Sequence, residues 1–94
     1  MVVTFHIPGP LRPFTGGRRS VELETSAATL REALEALYSH HPGIHDRVLT
    51  EQGHIREHVN VFVGNEHVRY TGGLATPLPE GGAEITIVAA VSGG

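Results

Sequence analysis

Few side chains in these 94 residues could do chemistry unaided. There is no cysteine, which excludes disulfides, thiolate metal sites, iron–sulfur ligation and a cysteine nucleophile. All seven basic residues are arginine, so only the N-terminal amine could accept an isopeptide bond. Seven histidines remain. His40, His41 and His45 cluster at the end of a helical pattern, and His54 and His58 are four apart, but neither set shows HExxH or another carboxylate–histidine spacing. Adjacent helical residues point in different directions, and histidines near a helix C-terminus complement its dipole. The histidines are therefore read as structural, with no metal site.

Glycine supplies the other pattern. Gly-Gly occurs at 16–17, 72–73, 81–82 and 93–94. "TGGLATPLPEGG" fits neither G-x-x-x-x-G-K-[ST] nor G-x-G-x-x-G, so the internal pairs read as loop geometry rather than phosphate cradles. The last pair closes "VAAVSGG" and, with the chain ending there, carries a carboxylate. Taken alone, it is either a frayed end or a chemically used one.

Positioning that end requires a framework. "VVTFHI" alternates Val3, Phe5 and Ile7 against Thr4 and His6, the pattern of a half-buried strand. "PGPLRPFTGG" is too rich in proline and glycine to be an element and reads as a turn-rich connection. "SVELET" alternates again, which completes a hairpin. The period then changes. Leu30, Ala33, Leu34, Leu37 and Tyr38 recur at helical spacing, Thr29 and Glu32 have the form of a capping box, and Pro42–Gly43 stops the helix. A short helical turn is expected around "IHDRVL" and a turn at Gly53. "HVNVFV" is a strand with Val59, Val61 and Val63 on one face and His58, Asn60 and Phe62 on the other. "HVRY" is expected as a short edge strand. "TGGLATPLPEGGA" is a loop with one tight turn at "ATPL". "EITIVAAV" is the last strand, with Ile85 and Ile87 inward and Thr86 and Val88 outward.

One helix must lay its apolar stripe on the sheet, so the expected class is α+β, a roll of four to five strands on one main helix. The apolar "ITIVA" run suits the sheet centre, parallel to the first strand. Residues 1–89 then form the domain and 90–94 a tail that leaves from the middle of the sheet. Phe62 and Val88 face away from the core, Phe62 as an exposed aromatic near the tail's root, and together they form a partner-binding patch. Arg12, Arg18 and Arg19 read as solvated surface. A net charge of −3 gives no nucleic-acid footprint, no apolar run approaches membrane-spanning length, and the N-terminus lacks a signal-peptide pattern. A cytoplasmic location is the expectation.

The blocks "IPGPLRPFTGG", "VNVFVGNEHVRYTGGLAT" and "ITIVAAVSGG" resemble the ubiquitin-like β-grasp sulfur carriers, the ThiS/MoaD family, and more closely its actinobacterial cysteine-biosynthesis branch. The likeness spans nearly the whole chain. It departs where family members often carry proline before the tail and this chain has Ala89 and Ala90. The resemblance implies a protein cosubstrate rather than an enzyme, with no bound cofactor. An E1-like enzyme would use ATP to adenylate the Gly94 carboxylate, and sulfide or an enzyme persulfide would displace AMP to leave a thiocarboxylate. The implied acceptor is O-phosphoserine or its aminoacrylate on a PLP-dependent cysteine synthase, with a metalloprotease releasing cysteine afterwards. Three alternatives stay open: the small subunit of molybdopterin synthase, a ubiquitin-like modifier that joins Gly94 to target lysines, and a plain β-grasp interaction module with an unused tail.

That chemistry suits these residues. Gly93 and Gly94 lack Cβ atoms and can enter a narrow channel. Val91 and Ser92 would contact its walls. Fully extended, residues 90–94 reach roughly 17 Å, enough to thread from a surface into a buried site.

Overall fold

The computed structural model describes residues 1–90. Five strands and two helices follow in chain order: β1 (Val2–His6), β2 (Ser20–Glu24), α1 (Leu30–His40), α2 (His45–Val48), β3 (Val59–Val63), β4 (Glu66–His67) and β5 (Gly82–Ala89). They form one mixed sheet in the order β2-β1-β5-β3-β4. β5 is central: it runs parallel to β1, with Phe5 opposite Ile85, and antiparallel to β3, with Val61 opposite Ile87.

The alternation decides which face is buried. Val3 and Phe5 of β1, Ile85 and Ile87 of β5, and Val59 and Val61 of β3 all point to one side. α1 covers that side with Leu30, Ala33, Leu34 and Leu37, each at most 1% exposed. Burying a side chain of this kind stabilises by about 1.5–3 kcal/mol, and this single cluster is the core. α1 starts at Thr29, whose Oγ1 accepts the Glu32 N–H at 3.4 Å. The Glu32 carboxylate reaches back one residue further than a capping box would take it, accepting from the Ala28 N–H at 2.9 Å.

Three connections differ from the sequence expectation. The proline-rich stretch after β1 is a 3₁₀ helix, Gly9–Thr15, rather than an unstructured turn. Proline's fixed φ suits a 3₁₀ start, Leu11 is buried, and the Thr15 hydroxyl sits against the Arg12 and Arg18 carbonyls at 3.1 and 3.0 Å. The edge strand near "HVRY" is Glu66–His67 instead, because the tight Gly64–Asn65 turn sets Val63 opposite Glu66, and Val68–Tyr70 turns off as 3₁₀. The expected turn at "ATPL" lies slightly earlier, as the 3₁₀ turn Gly73–Ala75. The residues after it brace the start of α1: Thr76 O accepts from Leu30 N at 2.9 Å, and Leu78 N donates to Ala28 O at 3.0 Å.

Candidate functional site

The uncovered face of the sheet carries the outward side chains of β5, the last element among the described residues. On β5 it carries Glu84, Thr86 and Val88. Pairing sets Thr86 between His6 on β1 and Phe62 on β3, and sets Val88 opposite Asn60. Phe62 and Val88 are therefore diagonal neighbours, within side-chain reach. Val88 is 43% exposed. Phe62 is half-buried rather than fully exposed, which corrects the sequence expectation. The cause is local: its cross-strand neighbour His67 lies edge-on to the ring, with centroids 5.0 Å apart.

His67 organises one corner of this face. Its Nδ1 accepts the Arg69 backbone N–H at 3.1 Å, so the ring proton resides on Nε2, which donates to Asn60 Oδ1 at 2.8 Å. Tyr70, 81% exposed, stands edge-on 6.1 Å beyond it. The opposite flank is acidic. Glu84 Oε1 meets His6 Nε2 at 2.9 Å, and Glu22 and Glu24 lie exposed on β2, with the terminal amine 2.9 Å from Glu24. The face is thus a small apolar strip, Phe62–Thr86–Val88, between an aromatic corner and a carboxylate border. The sequence reading named Phe62 and Val88, put Asn60 and Thr86 on the same outward face without naming them as site residues, and missed His67 and Tyr70. Strand alternation alone places Asn60 and Thr86 with them; His67 and Tyr70 depend on how the chain turns after β4.

The exit point is fixed by pairing. Val59 stands opposite Ala89, and the Ala90 N–H donates to His58 O at 2.9 Å. A groove of about 340 Å³ adjoins it, walled by Pro10, Phe14, Arg47 and His58, with the Arg47 guanidinium 4.6 Å from the Phe14 ring centroid. Val91, Ser92, Gly93 and Gly94, the remaining residues expected at the site, lie outside the described residues.

Away from this face, two of the five clustered histidines have side-chain polar contacts. His40 Nδ1 lies 3.0 Å from Ala36 O, and His45 Nδ1 is 2.9 Å from Asp46 Oδ1. Among the described residues no three or more His, Asp or Glu side chains gather closely enough to hold a metal ion. Burial, with the Glu35 charge nearby, pushes the Tyr38 phenol well above its usual range, and its hydroxyl is buried without a hydrogen-bond partner. Arg18 and Arg19 are exposed, while Arg12 Nε donates to Ile7 O at 3.1 Å. Among the described residues no helix is long and apolar enough to cross a membrane.

Comparison with known proteins agrees with this architecture. The ThiS family model matches residues 5–94. The sulfur carrier protein CysO of Mycobacterium tuberculosis is 41% identical over 96 residues, covering the whole of both chains. A chain in the crystal structure of the Amycolatopsis orientalis BexX/CysO complex superposes with a TM-score of 0.85 at 40% identity, over 98% of this chain and 99% of that one. Small archaeal modifier protein 1 of Haloferax volcanii is 34% identical over 79 residues, 83% of this chain and 85% of its own. The chain belongs to the ThiS family, as a β-grasp protein of the sulfur-carrier type and not an enzyme.

Proposed function

We propose that this protein carries sulfur for cysteine biosynthesis as a thiocarboxylate on Gly94. The observation that carries the reading is the full-length likeness to CysO, joined to a family match that runs through Gly94. The chemistry requires an activated carboxylate. A carboxylate is a poor electrophile; attack of its oxygen on the α-phosphorus of ATP, with loss of pyrophosphate, gives an acyl adenylate. Hydrosulfide then adds to the acyl carbon and AMP leaves. An E1-like enzyme performs both steps. The resulting sulfur, ionised and polarisable, attacks an activated serine derivative on a PLP-dependent synthase, and a metalloprotease frees the product.

In this scheme the carrier contributes presentation. β5, central in the sheet, supplies the root at Ala89, which β3 holds through Val59. Gly93 and Gly94 add no side chain that would crowd the reacting carbonyl. The Phe62–Thr86–Val88 strip is the docking surface, and its carboxylate border favours partners that place basic residues along β1 and β2. Intact mass spectrometry of protein from its native host tests the proposal. An oxygen-to-sulfur mass increase confined to the C-terminal peptide is expected; its absence in cells that are actively making cysteine would refute it.

The likeness to small archaeal modifier protein 1 favours a second reading, a modifier joined through Gly94 to lysines of other proteins. Without lysine, the chain could not be extended through its own side chains. Higher-mass conjugates carrying the C-terminal peptide would establish it.

A further inference from the structure

A further cavity opens at the edge of the sheet where β3 and β4 meet the loops beside α1, with His67 shared between its lining and the corner of the uncovered face. It measures about 480 Å³, within the range of small-molecule sites. Its floor is apolar, with Val59, Val61 and Leu74 among the lining residues. Its rim brings together arginines from three separate elements: Arg31 from α1, Arg56 from the segment before β3, and Arg69 from the 3₁₀ turn after β4. Glu57 is the only acidic residue lining it.

Three of the seven arginines thus meet at one apolar opening of a chain whose net charge is −3. Solvent alone gives no reason for that convergence, since like charges gathered at one place repel. The Arg56 Nε donates to Asp46 O of α2 at 2.8 Å, which leaves both terminal nitrogens without a partner among the described residues. The guanidinium groups of Arg31 and Arg69 make no hydrogen bond or salt bridge among the described residues, and that of Arg69 stands 6.0 Å over the Tyr70 ring. Guanidinium groups match carboxylate and phosphate oxygens in pairs, and the floor accepts an apolar body.

We infer that this cavity is a binding site for a small organic anion, an aromatic or branched apolar body bearing a carboxylate or phosphate. The site is separate from the tail's chemistry but close to its root. Arg56 and Glu57 lead directly into His58 and Val59, which hold Ala90 and Ala89. An occupant therefore contacts the segment that fixes where the tail leaves the sheet.

The test is a nitrogen–proton correlation NMR titration of the full chain with phenyl phosphate. Benzamidine serves as the cationic control with the same ring, and inorganic phosphate as the anion without the body. Saturable shifts are expected at the amides of Val59, Val61 and Leu74, and affinity for phenyl phosphate should exceed that for either control by about tenfold or more, as a charge-assisted pair over an apolar floor requires. Arg31→Gln and Arg69→Gln, which leave the Arg56–Asp46 bond intact, should each weaken binding by about tenfold with an otherwise unchanged spectrum. Equal response to benzamidine or phosphate, shifts that never saturate, shifts centred on the Phe14–Arg47 groove, or unchanged affinity in both variants would each overturn the assignment. Binding by an acidic peptide with phenyl phosphate silent would also overturn it, in favour of a protein partner.

Discussion

If the uncovered sheet face docks the activating enzyme, Val88 is the position at which docking and folding can be separated. It is 43% exposed, and its backbone pairs with Asn60 of β3, two residues beyond the end of the β1 pairing at Thr86. Full burial of a valine side chain contributes about 1.5–3 kcal/mol, so covering the exposed fraction contributes about 0.6–1.3 kcal/mol. Val88→Ala should therefore raise the KM for the carrier in adenylation by roughly three- to ninefold at constant kcat. Val88→Asp should do more, because an unpaired carboxylate would enter the interface beside an already acidic border. A penalty of about 2 kcal/mol or more on top of the lost contact corresponds to a hundredfold or greater rise in KM. Both variants should stay folded. The side chain points away from the core, and strand propensity spans only about 1 kcal/mol, equivalent to roughly 4–8 °C in Tm for a domain of this size. The assay is steady-state pyrophosphate release by the E1-like enzyme with varied carrier, alongside thermal unfolding. Glu35→Gln, exposed on the far side of α1, is the control and should change neither. A folded Val88→Asp protein with wild-type KM would refute docking through this face.

Removing Gly93–Gly94 should leave Tm within about 1 °C, since β5 ends at Ala89, and should abolish the sulfur-dependent mass increase; a retained increase would move the chemistry elsewhere. Thr29→Ala removes the N-cap of α1 and should cost about 0.5–2 kcal/mol in denaturant unfolding, with Thr29→Ser restoring most of it. Tyr38→Phe should be neutral or stabilising by up to about 1–2 kcal/mol at pH 7, because it deletes a buried hydroxyl that has no partner. The same variant should respond differently to alkali. The folded state holds the Tyr38 proton above the pH at which the unfolded chain releases it, so the unfolded state binds fewer protons there and stability falls as pH rises past about 10. Tyr38→Phe should lack that part of the decline; identical alkaline unfolding of the two proteins would sink the assignment.

Local pattern made much of this architecture legible. Alternation in "VVTFHI", "HVNVFV" and "EITIVAAV" assigned Val3, Phe5, Val59, Val61, Ile85 and Ile87 to the core, and the period of Leu30 to Leu37 assigned the helix face laid upon them. These assignments depend on intervals of two and of three to four residues, which a single chain displays. The Gly9–Thr15 helix was hidden because proline and glycine mark turns and 3₁₀ starts alike, and only the burial of Leu11 and Thr15 distinguishes them. Phe62 was placed on the correct face but with too much exposure, since its cover comes from His67 across a turn whose register the sequence leaves open.

The sequence by itself determined that cysteine and lysine chemistry are absent, that the strands have one buried face, and that a glycine pair follows an apolar strand. The apolar last strand also pointed to the sheet centre, but only the tertiary structure decided the pairing register that sets Thr86 between His6 and Phe62 and packs His67 against the Phe62 ring. It alone brought Arg31, Arg56 and Arg69 around one opening. The reason lies in the range of the forces involved. Periodicity records which side of an element avoids water, whereas the meeting of residues from separate elements depends on strand order and loop paths, which the packing of the whole chain selects.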